Sequence, residues 1–501
     1  IPEGREVFQG SHYMDGKTYT KQGPTVRAGI KPRHSKIVEN IHEAIKLCGL
    51  KDGMTVSFHH PFRDGDYVVN LVMQEVAAMG IKNITIAASS MGSAHDPIGQ
   101  MIEDGVVTGL QTSGIRGKMG EAVSFGKLKT PCVLRSHGGR VRAIEQGEVH
   151  IDVAFIGAPT CDEYGNARGK GGKSDCGVLS YAMVDAKYSD KVVIITDTLV
   201  DFPNFPPSIE AVDVDYVVVV DEIGNPKKIA SAAARITQDP RDLMMAEQCA
   251  KLMTATPYFK DGFSFQAGAG GPTLAVCRFL EAAMQERGIK MRWAIGGITS
   301  PLVDLLKKGL LGTIVDAQDF DIPSVQSVNE NSNHFEISTS QYANPSNKGA
   351  FVNKLDFVAL AALEIDTDFN VNVVTGSDGI LRGAPGGHPD ASAGAKVTMI
   401  VTPLCRGRIP TVCERVVTVT TPGECVDILV TDYGTAVNPR RKDLIEAFTA
   451  AGIELTDVNA LKDKAYAMLG RPDDLQFEDR VVAIMEARDG TILDVVRQKK
   501  R

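Results

Sequence analysis

The chain has 501 residues, with 54 Lys and Arg against 62 Asp and Glu and a formal charge of −8. That acidic balance, without a long basic run, disfavours nucleic-acid binding. A composition of 43% hydrophobic and 23% charged residues describes a folded chain too long for one economical core, so two or more domains are expected. No apolar run approaches bilayer length. Ile1-Pro2-Glu3-Gly4 carries no charged-then-apolar signal pattern, and the missing initiator Met reads as trimming. Nine scattered cysteines with no C-x-x-C pair predict reduced thiols in a cytoplasmic protein, with neither a disulfide framework nor a structural zinc site.

Residues 1–36 are poorly periodic and read as an N-terminal arm. A first α/β domain is expected over 37–240. In it Met54–His59 reads as a strand, Tyr67–Met79 as a helix and Ile84–Ala88 as a strand buried on both faces. Asp66 stands where its carboxylate can accept from the free N–H groups of the helix's first turn. A second domain over 241–501 copies this pattern: strand Phe263–Gln266, helix Thr273–Glu286, strand Arg292–Ile295. Its tail, a helix followed by strands Val481–Met485 and Ile492–Val496, is expected to close that second domain. The copying is visible as a repeat. Asp52–Phe58, Gly80–Ile84, Ile102–Val107, Ile151–Phe155, Lys191–Ile195 and Val214–Val218 recur in the same order as Asp261–Phe265, Gly288–Arg292, Leu306–Leu311, Leu355–Ala359, Lys396–Ile400 and Val426–Val430, at offsets between 204 and 212 residues. Six ordered matches are hard to obtain from generic turn chemistry, so the chain reads as a duplication. Each half is expected to be a mostly parallel sheet flanked by helices.

In such sheets ligands bind on the loops at the carboxyl ends of the strands. The loop Ala267-Gly268-Ala269-Gly270-Gly271-Pro272 follows a predicted strand and opens a helix, leaving backbone N–H groups for an anion or oxyanion. Plain tight-turn packing is its other reading. Gly172-Lys173-Ser174 is no Walker motif, because Ala167 stands where the required Gly would be. Gly376–Gly379 and Arg382–Asp390 combine a cation, carboxylates and an imidazole among exposed backbone donors, a set suited to a polycarboxylate; a polar crossover is the alternative. Glu336–Asn344 is dense in amides and hydroxyls. Glu364, Asp366, Asp368, Asn370 and Asn372 resemble a box of oxygen ligands but match no calcium-loop spacing, and no metal is expected. His59 and His60 are adjacent on a strand and face opposite ways, one toward the core and one toward a site. Ser136–Arg140 is a pocket candidate or a surface turn.

The run Asp52–His60 with Ser136-His137-Gly138-Gly139, Gln341-Tyr342-Ala343-Asn344, Ala362–Asp366 and Gly386-Gly387-His388 resembles the citrate lyase alpha subunits over about Ile37 to Val496. The resemblance implies two tandem CoA-transferase-like α/β domains. It also implies an activity: acetyl carrier protein plus citrate gives citryl carrier protein plus acetate. Implied partners are citrate, the acyl carrier protein (gamma subunit) with its dephospho-CoA-derived prosthetic group, and a beta subunit that cleaves the citryl thioester, in an oligomeric complex. No cofactor bound tightly to this chain, nucleic acid or membrane is expected. Covalent CoA transferases carry a Ser-Glu-Asn-Gly-like turn after the second strand of their second domain. Here Arg292–Ile295 is followed by Gly296-Gly297-Ile298-Thr299, without a carboxylate, in agreement with the route that the resemblance to the citrate lyase group implies, through a mixed citric–acetic anhydride.

From residue type and loop position, Gly268, Gly270 and Gly271 are expected to supply backbone donors to the thioester. Arg382, His388, Gly386, Gly387, Gln341, Tyr342 and Asn344 are expected to hold citrate, with Asn370 or Asn372. His137 is expected to line the pocket, and Glu364 is a surrogate nucleophile or an orienting group. Another CoA transferase, a thioester hydrolase and a non-catalytic ligand-sensing module are the alternative functions.

Overall fold

The computed structural model describes residues 4–500 apart from 12, 14–16, 18–19, 22, 24–30 and 231–236. Part of the expected arm therefore lies outside the described residues. In its described part Val7 bridges to Ile492, and the Arg5 guanidinium lies 2.5 Å from Glu486.

Short runs such as Val153–Ala158 and Lys191–Thr196 are apolar almost throughout. Such strands must be covered on both faces, which a parallel sheet between helix layers achieves. One sheet runs in the order Ile37–Val38, Tyr216–Val219, Lys191–Thr196, Val153–Ala158, Thr55–Phe58, Ile84–Ala88, Val107–Thr112, Cys132–Leu134, Phe477–Glu486, Ile492–Lys499. The other runs Gly434–Val437, Ile428–Thr431, Val397–Val401, Phe357–Leu360, Phe263–Ala267, Met291–Ile298, Leu311–Asp319, His334–Glu336. From Tyr216–Val219 to Cys132–Leu134 the first sheet has the same order as the second has from Ile428–Thr431 to His334–Glu336, so the sequence repeat is a repeat of topology. This is the CoA-transferase-like doubling expected from the sequence. Asp66 caps as expected, its Oδ2 accepting from Val69 N at 3.1 Å.

The tail departs from expectation. Its two strands form an antiparallel hairpin that adds to the first sheet, with Ala483 opposite Cys132 and Met485 opposite Leu134. It does not close the second domain, so the second unit does not run unbroken from 241 to 501. Cys132–Leu134 would otherwise be an open edge only three residues long. An unpaired ladder beside apolar side chains favours a covering strand, and Val482 to Met485 are buried there. Strand periodicity does not say which of two similar edges a strand will join.

All nine cysteines are unpaired. No helix among the described residues is long and apolar enough to cross a membrane.

Candidate active site

A cavity of about 480 Å³ lies where loops at the carboxyl ends of both sheets meet. The first half contributes the loop after Thr55–Phe58 (His60, Arg63), the loop after Ile84–Ala88 (Ser90, Gly92, His95), Arg116 and His137. The second contributes Gly268–Gly270 after Phe263–Ala267, Gly296 and Gly297 near the end of Met291–Ile298, Ala361–Leu363 after Phe357–Leu360, and Gly383–His388. Duplicated strands thus deliver loops from corresponding positions to one shared space.

Among the described residues the cavity lining is mainly cationic, with Arg63, Arg116, Arg382 and Arg406 against the single carboxylate of Asp64. Arg63 has φ +52°, a left-handed conformation uncommon for a residue with a Cβ and often retained at functional sites. Its guanidinium lies 4.3 Å from the centroid of the Phe320 ring. Burial, followed by the neighbouring Arg116, presses its pKa below the ordinary arginine value. Among the described residues neither Arg63 nor Arg116 is within salt-bridge distance of a carboxylate. Two converging guanidiniums without carboxylate partners form a site for an anion with more than one carboxylate.

In the lining loop after Phe263–Ala267 the Gly268 N–H is already used, donating to Ala359 O at 2.7 Å. The N–H groups of Ala269, Gly270 and Gly271 have no hydrogen-bond acceptor among the described residues, and they lead into and open the 17-residue helix Gly271–Arg287. Burial first, then Arg140, holds the His137 pKa down at about 3. The rings of His60, His137 and Tyr181 form a cluster with centroids 4.6 to 5.7 Å apart.

The expected site residues divide. Gly268, Gly270, Tyr342, Arg382, Gly386, Gly387, His388 and His137 line the cavity, and Gly271 adjoins it. Several are occupied there. Arg382 pairs with Asp378 and stands at the exposed rim. The Tyr342 hydroxyl accepts from Gln266 Nε2 at 3.0 Å. His388 Nε2 lies 3.1 Å from Ala361 O and Nδ1 lies 2.7 Å from Thr421 Oγ1. A carbonyl can only accept, so Nε2 carries the proton, and burial lowers the pKa to about 4. His388 therefore has no free nitrogen for citrate or a proton.

Gln341, Asn344, Asn370, Asn372 and Glu364 do not line the cavity. Gln341 closes the capping box of Thr339–Ala343 with Ser338. Asn344 donates to Glu145 at 3.0 Å. Asn372 donates to Glu364 at 2.8 Å, and the same Glu364 oxygen accepts from Val417 N at 3.1 Å. That carboxylate is tied to the Asn372 amide and the Val417 backbone and is not part of the cavity lining.

The duplication explains the polar run 364–372. Asp366 Oδ1 accepts from Asp368 N and Asn370 N, and Oδ2 accepts from Asn370 Nδ2. In the first half Asp162 does the same with Tyr164 N, Asn166 N and Asn166 Nδ2. Even the next bond repeats: Ala211 N donates to Asn166 and Gly423 N to Asn370. A device present in both halves builds the fold. Comparing Asp162–Asn166 with Asp366–Asn370 in the sequence would have revealed it.

Ser136–Arg140 is an inter-half lock. Ser136 Oγ caps Gly139 N and donates to Asp390 Oδ1 at 2.8 Å, and Gly138 N donates to Asp390 Oδ2 at 2.8 Å. A Cβ at Gly138 would overlap the Ala343 carbonyl, so the close approach of the halves requires glycine there. The sequence reading missed Arg63, Arg116, Gln266, Gln318 and Phe320. Gln266 and Gln318 lie at the carboxyl ends of the strands Phe263–Ala267 and Leu311–Asp319, and Arg63, Arg116 and Phe320 lie beyond strand ends, none of them within a recognisable motif.

Two clusters among the described residues have metal-competent side chains: exposed His150 with half-buried Asp152 and Asp190, and buried Asp316, Asp319 and His334. Neither lines the cavity. His334 has both nitrogens engaged, with Ser327 Oγ at 2.9 Å and Asp316 Oδ2 at 3.0 Å. Neither oxygen of Asp319 finds a donor in ordinary geometry. Burial, then the Asp316 charge, raises the Asp319 pKa well above the carboxylate range, and burial pushes Asp316 up to about 7. A carboxyl with a raised folded pKa binds a proton on folding, so its penalty grows as pH rises above the unfolded value of about 4. Asp319→Asn should therefore stabilise the protein more at pH 8 than at pH 5. The difference, read from urea midpoints, should be on the order of 1 kcal/mol per pH unit. A gain independent of pH would contradict that origin.

Comparison with known proteins places the chain. A family model described as citrate lyase, alpha subunit, matches residues 34–499. The citrate lyase alpha chain of Haemophilus influenzae is 53% identical over 496 residues, covering 99% of both chains. That of Klebsiella pneumoniae is 51% identical over 481 residues, 96% of this chain and 95% of the relative. A solved structure from Streptococcus mutans, described as the alpha subunit of citrate lyase in complex with citrate, is 52% identical with a TM-score of 0.95, over 97% of this chain and 95% of that one. A malonate decarboxylase alpha subunit from Acinetobacter baumannii shares the fold at 15% identity, with a TM-score of 0.64 over 87% of each chain.

Proposed function

The chain belongs to the citrate lyase alpha-subunit family, whose members are acyl-carrier-protein transferases, and on that premise we propose how its cavity exchanges acetate for citrate on a carrier-bound thioester. The observation that carries the reading is the pair Arg63 and Arg116, two lining guanidiniums with no carboxylate within salt-bridge distance among the described residues, together with the backbone donors of Gly270 and Gly271 that have no acceptor among those residues. The guanidiniums hold citrate carboxylates. The backbone donors receive the thioester carbonyl of the acyl arm, which the partner carrier protein delivers on its dephospho-CoA-derived group. The Streptococcus mutans relative, described in complex with citrate, supports the anion assignment.

A citrate carboxylate oxygen attacks the acetyl carbonyl carbon, the carbon–sulfur bond breaks, and the carrier leaves as thiolate. The product is a mixed citric–acetic anhydride. The thiolate then attacks the citryl carbonyl, the anhydride carbon–oxygen bond breaks, and acetate departs. Protons and charge balance without an enzyme nucleophile. Catalysis comes from holding two acyl groups in line and stabilising the oxyanions. Gly296 and Gly297 support this route: they stand where covalent relatives in the wider fold carry a glutamate, and the Phe320 ring fills the space a side chain at Gly297 would need.

The test is to incubate the purified chain with acetyl carrier protein and citrate, and to follow the carrier by intact mass. Gain of a citryl mass with release of acetate is expected. Free thiol alone would make the chain a hydrolase, and citrate binding without exchange would make it a ligand-sensing module.

A further inference from the structure

His60 sits two residues beyond the strand Thr55–Phe58. The corresponding second-half strand, Phe263–Ala267, leads into Gly268–Gly270 in the same cavity lining. Its backbone and ring are tied to one hydroxyl: His60 N donates to Ser89 Oγ at 3.1 Å, and His60 Nδ1 lies 2.6 Å from the same oxygen. Ser89 is fully buried. With its oxygen already accepting from the backbone, the hydroxyl proton has one acceptor among the described residues, Nδ1. Were Nδ1 to carry the proton instead, the buried hydroxyl proton would be left unpaired, which is costly. The ring proton is therefore on Nε2, which has no hydrogen-bond partner among the described residues and belongs to a residue lining the cavity.

The ring is held on several sides. His137 stacks at 5.7 Å and 21°, Tyr181 packs at 4.6 Å, and Gln318 Nε2 donates to the His60 carbonyl at 3.0 Å from the second half. The titratable groups facing it are His137, Tyr181, Arg63, His59 and Arg140. None is a carboxylate that would stabilise an imidazolium. Burial first, and then the histidine and arginine neighbours, keeps the ring neutral well below ordinary histidine pH. A neutral imidazole fixed as an N–H donor stabilises developing negative charge without giving up its proton.

We propose that His60, through Nε2–H, is the side-chain donor for the thioester carbonyl oxygen as it becomes an oxyanion, complementing the free backbone N–H groups of Gly270 and Gly271. As the citrate oxygen bonds to the carbonyl carbon, the carbon–oxygen π pair moves onto oxygen and is met by Nε2–H. The pair returns as the thiolate leaves, and the proton stays on His60 throughout. Ser89 is a positioning residue that fixes the tautomer. The inference rests on the transferase reading.

The experiment measures single-turnover formation of citryl carrier from acetyl carrier at saturating citrate, for wild type, H60F, H60Q and S89A, with thermal melts of each. H60F should slow exchange by about 100- to 1,000-fold, the usual effect of losing one oxyanion donor, with citrate KM changed by no more than about threefold. H60Q, which returns an N–H near the Nε2 position, should recover at least about tenfold over H60F. S89A should fall between H60Q and wild type, and the wild-type rate should be flat from about pH 5.5 to 8.5, as a ring that stays neutral requires. H60F within about threefold of wild type overturns the proposal. So does H60Q as slow as H60F together with a wild-type rate limb near pH 6.5, the signature of proton transfer. Should H60F fail to fold, H60Q against S89A and the wild-type pH profile decide in the same way. A wild type that forms no citryl carrier at all defeats the transferase reading itself, a result distinct from either.

Discussion

Arg63→Leu should raise the citrate concentration needed for half-maximal exchange by about 100-fold, with the rate at saturating citrate reduced far less. The size follows from removing one partner of a desolvated, hydrogen-bonded charge pair, about 3 kcal/mol, at tenfold per 1.4 kcal/mol. Melting should change little, because Arg63 is within salt-bridge distance of no carboxylate among the described residues and leucine can still cover the Phe320 ring. Arg382→Leu is the internal comparison. That arginine is engaged by Asp378 at the exposed rim, and exposed pairs are worth little, so its citrate KM should move by only about threefold. Equal effects from the two variants, or an unchanged KM in Arg63→Leu, would remove Arg63 from the citrate site. Initial rates against citrate concentration are enough to tell.

Gly297→Ala should lower kcat/KM by at least about 100-fold although it adds a single methyl group. A Cβ at Gly297 overlaps the Phe320 ring edge, so the ring must move, and overpacking of this kind typically costs about 1–3 kcal/mol in stability. The catalytic loss exceeds the stability loss because Phe320 carries the Arg63 guanidinium on its face. Small displacements of a positioned group can cost about two orders of magnitude in rate. The double variant Gly297→Ala with Phe320→Leu makes room for the methyl and should recover part of the activity, since residues in contact are not additive. A fully active Gly297→Ala enzyme would show that this wall of the cavity does not shape the reaction.

Much of the architecture was legible because the chain states it twice. Six ordered matches between the halves announced a duplicated sheet, and the shared strand order bears this out. The Gly-rich loops 268–271 and 383–387 were found because glycines after a strand mark close backbone approach. Arg63 and Arg116 were not found: a lone arginine on a loop carries no signal until the fold shows that no carboxylate among the described residues lies within salt-bridge distance of it. The reverse error befell Glu364, Asn370 and Asn372. Dense polar residues after a strand suggest a site, yet here their donors and acceptors close on one another, as the matching Asp162 turn does in the first half. His388 was misread for a similar reason, since the partners of its two nitrogens, Ala361 and Thr421, are distant in sequence. The C-terminal hairpin was read as strands but sent to the wrong sheet, because two halves with the same pattern offer similar edges.

In the proposed route citrate itself, with no protein carboxylate in between, attacks the thioester. A single turnover with citrate labelled with oxygen-18 in its carboxylates, enzyme in excess over acetyl carrier protein, tests it directly by mass spectrometry of the released acetate. The mixed-anhydride route transfers one citrate oxygen to the acetate, so the first acetate formed should carry a single heavy oxygen. Unlabelled acetate from that first turnover, with the label found on an enzyme carboxylate or in neither product, would contradict the account.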